Sequence, residues 1–153
     1  MIAIQVVISV LGALLRSATG YTAADSTTTD ASASVALGIL LVASFGPTVT
    51  ALIEDFAFRH TLMLTFPAWG GRWRTAALLV IGNALLFGAV HYNNFGGHLL
   101  LTLSYAGAGL LMNLVYLWTR NIWQVLLMHG LNNFILGGPV VVALAQLLGA
   151  AVG

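Results

Sequence analysis

"ALIEDFAFRHTL", residues 51–62, closes an apolar run that begins near Val35 and carries Glu54, Asp55, Arg59 and His60 within seven positions. The medium around this stretch decides the fold. In water such a cluster is a solvated helix face. In a bilayer an ionisable group within a span is costly and marks a site. The chain has 153 residues, 59% of them hydrophobic and 6% charged, with a mean hydropathy of +0.98. A soluble domain carries roughly 25% charged residues. The composition is that of a bilayer protein, the bland alternative being a buried fragment of a larger soluble one.

Other classes fall away on the same grounds. The absence of cysteine removes disulfides, thiolate nucleophiles and thiolate metal sites. The basic residues are Arg16, Arg59, Arg72, Arg74 and Arg120, and they form no stripe for nucleic acid. No phosphate-binding glycine loop occurs.

Outward from the opening stretch, the apolar segments mark helices. Met1 to Leu15 is short for a span of roughly 20 residues, and Arg16 follows it rather than preceding it. A short anchor helix is expected there in preference to a signal peptide. "SATGYTAADSTTTDASAS", residues 17–34, is a polar Ser/Thr-rich linker outside the bilayer. Val35 to Phe66 is interrupted at Gly46-Pro47, so a kinked helix or two helices are expected. "FPAWGGRWRT", residues 66–75, suits a headgroup-zone loop. Ala76 to His91, Leu99 to Trp118, Ile122 to Leu136 and a last run to Val152 follow, separated by "YNNFGGH", "TRN" and "GGP".

The expected fold is therefore all-α: a polytopic transmembrane bundle of about six helices, with at least four convincing spans. Residues 1–34 form an anchor helix and linker, and 35–153 a transmembrane core. If residues 35–66 cross once, Arg72, Arg74 and Arg120 share a side, which the positive-inside rule makes cytoplasmic.

Three pairs at helical spacing carry the chemistry. Asp55 and Arg59 are four apart, acid first, and can pair on one face. Glu54 then points about 100° away and is left for a cavity, as a general base would be. The structural alternative is an ion pair at a helix end. Phe87 and His91 share a face, so an aromatic ring packs one turn below an imidazole; an interfacial or core histidine is the alternative. His129 and Asn133 share a face roughly 10 Å inside a span, at 1.5 Å per residue from Ile122. A helix–helix hydrogen bond is the alternative there. His60 and His98 sit beside helix ends and read as interfacial.

On three separate helices, Glu54, His91, His129 and Asn133 can converge in one polar pocket. Such a pocket polarises a water, with Glu54 taking the proton and the imidazoles and Asn133 binding an oxyanion. The same Glu and two His suit a divalent metal such as zinc. A His-Glu-x-x-His zincin motif and a Gly-x-Ser-x-Gly elbow are both absent.

The motif order resembles the CPBP intramembrane proteases, the CAAX protease and bacteriocin-processing (Abi) family. Their pattern is Glu-Glu-x-x-x-Arg, then Phe-x-x-x-His, then His-x-x-x-Asn/Asp. Here these read "EDFAFR" (Glu54 to Arg59), "FGAVH" (Phe87 to His91) and "HGLNN" (His129 to Asn133), with Pro47 shortly before the acidic pair. The resemblance implies a glutamate protease or metalloprotease site between three helices. It implies Glu54 as activator of water, His91 and His129 as the essential histidines, and Asn133 on the oxyanion side. Arg59 and Asp55 brace the motif, and Phe87 packs beside the site. Asp55 departs from the family's second glutamate, and the chain has fewer helices than many members. The implied partners are membrane lipids and a peptide or prenylated protein substrate, with bacteriocin maturation or self-immunity as prokaryotic roles. The lack of lysine and the compact size point to a prokaryotic cell membrane. A non-catalytic immunity or scaffold protein with the family fold, and a small proton-coupled transporter using Glu54 and the histidines as a relay, are the rival readings.

Overall fold

The computed structural model describes residues 1–21, 37–63, 73–135 and 147. The described residues are helical, with no strand among them. Five α-helices follow in order: α1 (Ile2–Thr19), α2 (Leu37–Asp55), α3 (Trp73–Ala89), α4 (Leu103–Thr119) and α5 (Ile122–Ile135). A π-helix, Phe56–Leu62, continues α2, and 3-10 turns at Tyr92–Phe95 and Leu99–Thr102 join α3 to α4. The expected linker beyond residue 21, most of the loop of residues 66–75 and nearly all of the last apolar run lie outside the described residues.

Three helical stretches are long and apolar enough to cross a membrane: Ile2–Thr19, Leu41–Leu62 and Leu99–Thr119; Trp73–Ala89 is a shorter apolar helix. Against the expected count of about six helices, five α-helices lie among the described residues. The first apolar segment is longer than its sequence suggests. Arg16 and Thr19 extend it to 18 residues before Gly20 ends it in the left-handed conformation.

Pro47 does not break its helix. Proline removes one backbone donor, and two hydroxyls that follow it bond back to the preceding turn. Thr48 Oγ1 donates to the Ser44 carbonyl at 2.9 Å and Thr50 Oγ1 to the Gly46 carbonyl at 3.1 Å. Hydroxyls of this kind are what make proline tolerable in a span. The irregularity falls later, in the π-helix, directly after Asp55. Residues 37–62 are therefore one continuous helical segment.

The large apolar side chains on the outer faces, such as Val42, Leu78 and Leu127, are exposed, as lipid-facing groups are. Trp73, Trp118 and Trp123 stand exposed at the start of α3, the end of α4 and the start of α5. Arg74 lies against the Trp73 ring and Arg120 caps α4, so this end has the character of a membrane interface. Asn121 makes the α4–α5 turn by accepting from the Trp123 N–H at 3.0 Å.

Helices α3 and α4 form the closest pair, and α1 packs on α4. The α3–α4 approach depends on Gly88. A Cβ there would lie 2.6 Å from the Thr102 carbonyl oxygen and 2.8 Å from the Ala106 Cβ. Gly88→Ala must push two backbones apart and is expected to cost about 1–3 kcal/mol in thermal unfolding in detergent. Gly82→Ala on the same helix meets nothing within 4 Å. It should be neutral or stabilise by up to ~1 kcal/mol, since alanine is the better helix former.

Candidate active site

The two adjacent acids of α2 have different fates. Asp55 is fully buried. Its Oδ1 lies 3.1 Å from Arg59 Nη1, one turn on, and its Oδ2 lies 3.3 Å from His129 Nδ1 on α5. The expected Asp55–Arg59 pair is present, and Asp55 also orients a histidine, which the sequence reading did not foresee. Glu54, rotated away as expected, faces a polar cavity of about 480 Å³ together with His91, His129, Asn133, Tyr105 and Asn94.

Arg59 is fully buried and reaches three elements. Besides Asp55, its Nη2 donates to the Gly109 carbonyl on α4 at 3.3 Å, and its guanidinium lies 4.4 Å from the centre of the Phe87 ring on α3. Arg59 Nη1 and Asp55 Oδ1 touch without hydrogen-bond alignment, so their attraction is that of two close charges. Phe87 is buried and also meets the rings of His91 and His129, with centroids at 4.9 and 5.8 Å.

Both histidines are held by Nδ1. His91 Nδ1 lies 2.7 Å from the Phe87 carbonyl oxygen. A carbonyl only accepts, so this nitrogen carries the hydrogen. His129 Nδ1 faces the Asp55 carboxylate in the same sense. In each neutral ring the bare nitrogen is then Nε2. These two atoms turn to Glu54, at 3.6 Å from Oε1 for His91 and 4.0 Å from Oε2 for His129. With both rings neutral, three acceptor groups face one another there. A water molecule, which can donate two hydrogens, can serve two of the three. The His91 ring is further fixed by stacking on Tyr105, centroids 4.7 Å apart and planes 28° from parallel.

The donor set of Glu54, His91 and His129 suits a divalent cation, with the Asp55–His129 contact of the kind that supports a metal ligand. As placed, however, no group of three His, Asp or Glu side chains among the described residues closes to metal-binding distance.

Asn133 lies at the cavity and donates through Nδ2 to the Pro47 carbonyl at 3.3 Å. His60 is exposed beside the Phe56 ring, and His98 is exposed with its ring tilted against that of Tyr21; neither joins the site. Several contributors had gone unnoticed in the sequence. Asn83 on α3 donates to the Phe58 carbonyl of the π-helix at 2.8 Å, Asn113 on α4 donates to the Val80 carbonyl at 3.1 Å, and Tyr105 supports His91. The available signal was an amide inside an apolar helix, which in a membrane needs a partner on another helix.

The buried pair yields a stability prediction. Arg59→Met strands the Asp55 carboxylate in a dry environment and is expected to cost about 3–5 kcal/mol in unfolding. The double variant Asp55→Asn/Arg59→Met should recover a large part of that loss, because the uncompensated charge is gone. Thermal melts of both proteins in the same detergent check this.

Comparison with known proteins gives one match. The model of the family described as "Type II CAAX prenyl endopeptidase Rce1-like" covers residues 32–135, which hold all three motifs. No curated protein and no solved structure gives a significant match. With its long apolar helices, the chain is an integral membrane protein. By the extent of that match, it belongs to the Rce1-like family of type II CAAX prenyl endopeptidases, which are intramembrane peptidases.

Proposed function

We propose that the protein is an intramembrane endopeptidase that hydrolyses a peptide bond with a water activated by Glu54. The observation that carries this reading is the placing of the two rings: both imidazoles engage Nδ1 elsewhere and turn Nε2 to Glu54. A water among these groups gives its hydrogens to Glu54 and an Nε2. Its oxygen lone pair is then free to attack the scissile carbonyl carbon.

In the attack, the water proton passes to Glu54 as the new C–O bond forms. The carbonyl oxygen becomes an oxyanion. Asn133 uses one N–H on Pro47 and has a second for this oxygen. A neutral His91 or His129 has no donor at Nε2, so each aids the oxyanion only once it has taken a proton. Asp55, on the far side of His129, balances the charge that then forms. As the C–N bond breaks, the proton held by Glu54 goes to the leaving amine. The products are a carboxylic acid, which keeps the second hydrogen of the water, and an amine.

The substrate is a peptide segment at the membrane of a prokaryotic cell, either a prenylated CAAX-type terminus or a bacteriocin-like precursor. If a divalent ion such as zinc serves the site, Glu54, His91 and His129 are its ligands. The Asp55–Arg59 contact keeps one acid structural and leaves Glu54 to work.

The test is cleavage of a panel of membrane peptides, prenylated and unprenylated, by purified protein with and without a chelator. Glu54→Gln should lower turnover by about 10²–10⁴-fold while leaving the melting temperature close to wild type. Wild-type turnover in Glu54→Gln would remove the reading. Loss of activity in the chelator lane would assign the water to a metal.

A further inference from the structure

Helix α1 lies entirely outside the residues that the family model matches, yet one of its side chains is hydrogen-bonded beside the site. Gln5 Nε2 donates to Asn132 Oδ1 at 3.0 Å. Asn132 Nδ2 donates to Asn133 Oδ1 at 3.3 Å, and Asn133 Nδ2 donates to the Pro47 carbonyl at 3.3 Å. Three carboxamides therefore run head to tail from α1 through α5 to α2. Asn132 is buried, and Gln5, Asn132 and Asn133 together line a second cavity that shares Tyr105 and His129 with the first.

We infer that Gln5 and Asn132 are positioning residues for Asn133, setting which end of its amide faces the reacting carbonyl. This rests on the proposed peptidase reading for its consequence, though not for its geometry. A carboxamide can be turned by 180° at little steric cost, exchanging N–H for oxygen. An Asn133 turned that way would present a lone pair to an oxyanion and oppose it. The chain decides against that state. Pro47 offers only a carbonyl, so it requires the Asn133 nitrogen. Asn132 offers its nitrogen to the Asn133 oxygen only while its own oxygen is engaged by Gln5. Each link fixes the direction of the next. The N-terminal helix thereby takes part in the site without touching substrate.

The experiment has two arms on the same proteins: wild type, Gln5→Met, Asn132→Asp, Asn133→Ala and Gln5→Met/Asn133→Ala. Methionine keeps the length of Gln5 without its amide. Asn132→Asp keeps the acceptor for Gln5 and removes the donor to Asn133. The first arm reads side-chain amide NMR signals of asparagine-labelled protein in micelles, with the Asn133 signal identified by its loss in Asn133→Ala. Gln5→Met should shift the Asn133 signal although the two residues do not touch. A shift confined to Asn132 overturns the relay. The second arm reads cleavage. Gln5→Met and Asn132→Asp should each lower kcat about ten-fold with KM little changed, as expected for loss of orientation. In the Asn133→Ala background Gln5→Met should do nothing further. An equal fall in both backgrounds shows Gln5 to be merely structural and overturns the proposal. If wild type cleaves no peptide, the peptidase reading fails instead, and the amide signals alone decide the relay. If Gln5→Met does not fold, Asn132→Asp carries both arms.

Discussion

A guanidinium and a carboxylate with no exposure to solvent sit at the centre of this bundle. In hydrocarbon neither charge is tolerable alone. Arg59 meets the requirement by drawing on Asp55 one turn earlier, on a backbone carbonyl of α4 and on an aromatic face of α3. Asp55 spends its other oxygen on His129 of α5. Satisfying one ion pair therefore fixes four helices relative to one another. Its contact lacks hydrogen-bond alignment on Asp55 Oδ1 and Arg59 Nη1, and Arg59 Nε also has no hydrogen-bond partner. A buried pair of this kind is weak as a source of stability. Its consequence is register: any slide between these helices uncovers a charge.

That register is what separates two neighbouring acids. Asp55 is paired and dry, whereas Glu54 is 19% exposed and faces two imidazole nitrogens. The rotation of about 100° per residue would suffice in any helix. Here it is held by contacts on both sides of the junction. Upstream, Pro47 receives Asn133; downstream, Asn83 takes the Phe58 carbonyl in the π-helix. A π-turn widens the helix and alters its bonding register. An amide from a neighbouring helix on one of its carbonyls anchors that wider turn.

The pairs legible in the sequence were those set by one helix alone. Asp55 with Arg59 needs only spacing, and so does the placing of Phe87 under His91. Local rules left Pro47 open between one kinked helix and two; the structure has one continuous helical segment, with its irregularity in the π-helix. They also undervalued the first apolar segment, whose helix runs on through Arg16. The roles of Gln5, Asn83, Asn113 and Asn132 were out of reach for another reason. Each is an amide whose partner sits 25 or more residues away or whose orientation depends on such a partner. Spacing shows that an amide in an apolar helix needs a partner. It does not show which helix supplies one.

Two of these long-range bonds, together with those of Arg59 and Asn133, share a feature that bears on the site. Arg59, Asn83, Asn113 and Asn133 each donate to a backbone carbonyl of another helical element. Lipid tails are as apolar as the helix faces, so burial of leucine does little to choose between registers. A carbonyl is present at every position, but a donor side chain can reach only one of them without a gap. Glycine at 88 and 109 brings the backbones close enough for such reach: a Cβ at Gly109 would fall 2.9 Å from the Phe87 ring. The small residues set how near the helices come, and the donors set where along their length they stop. Glu54, His91 and His129 then inherit their separation from that choice. Glu54 sits one residue before the buried pair, and His91 four residues after an aromatic that Arg59 covers. The geometry around Glu54 is a by-product of how a few polar groups escape being unpaired in lipid.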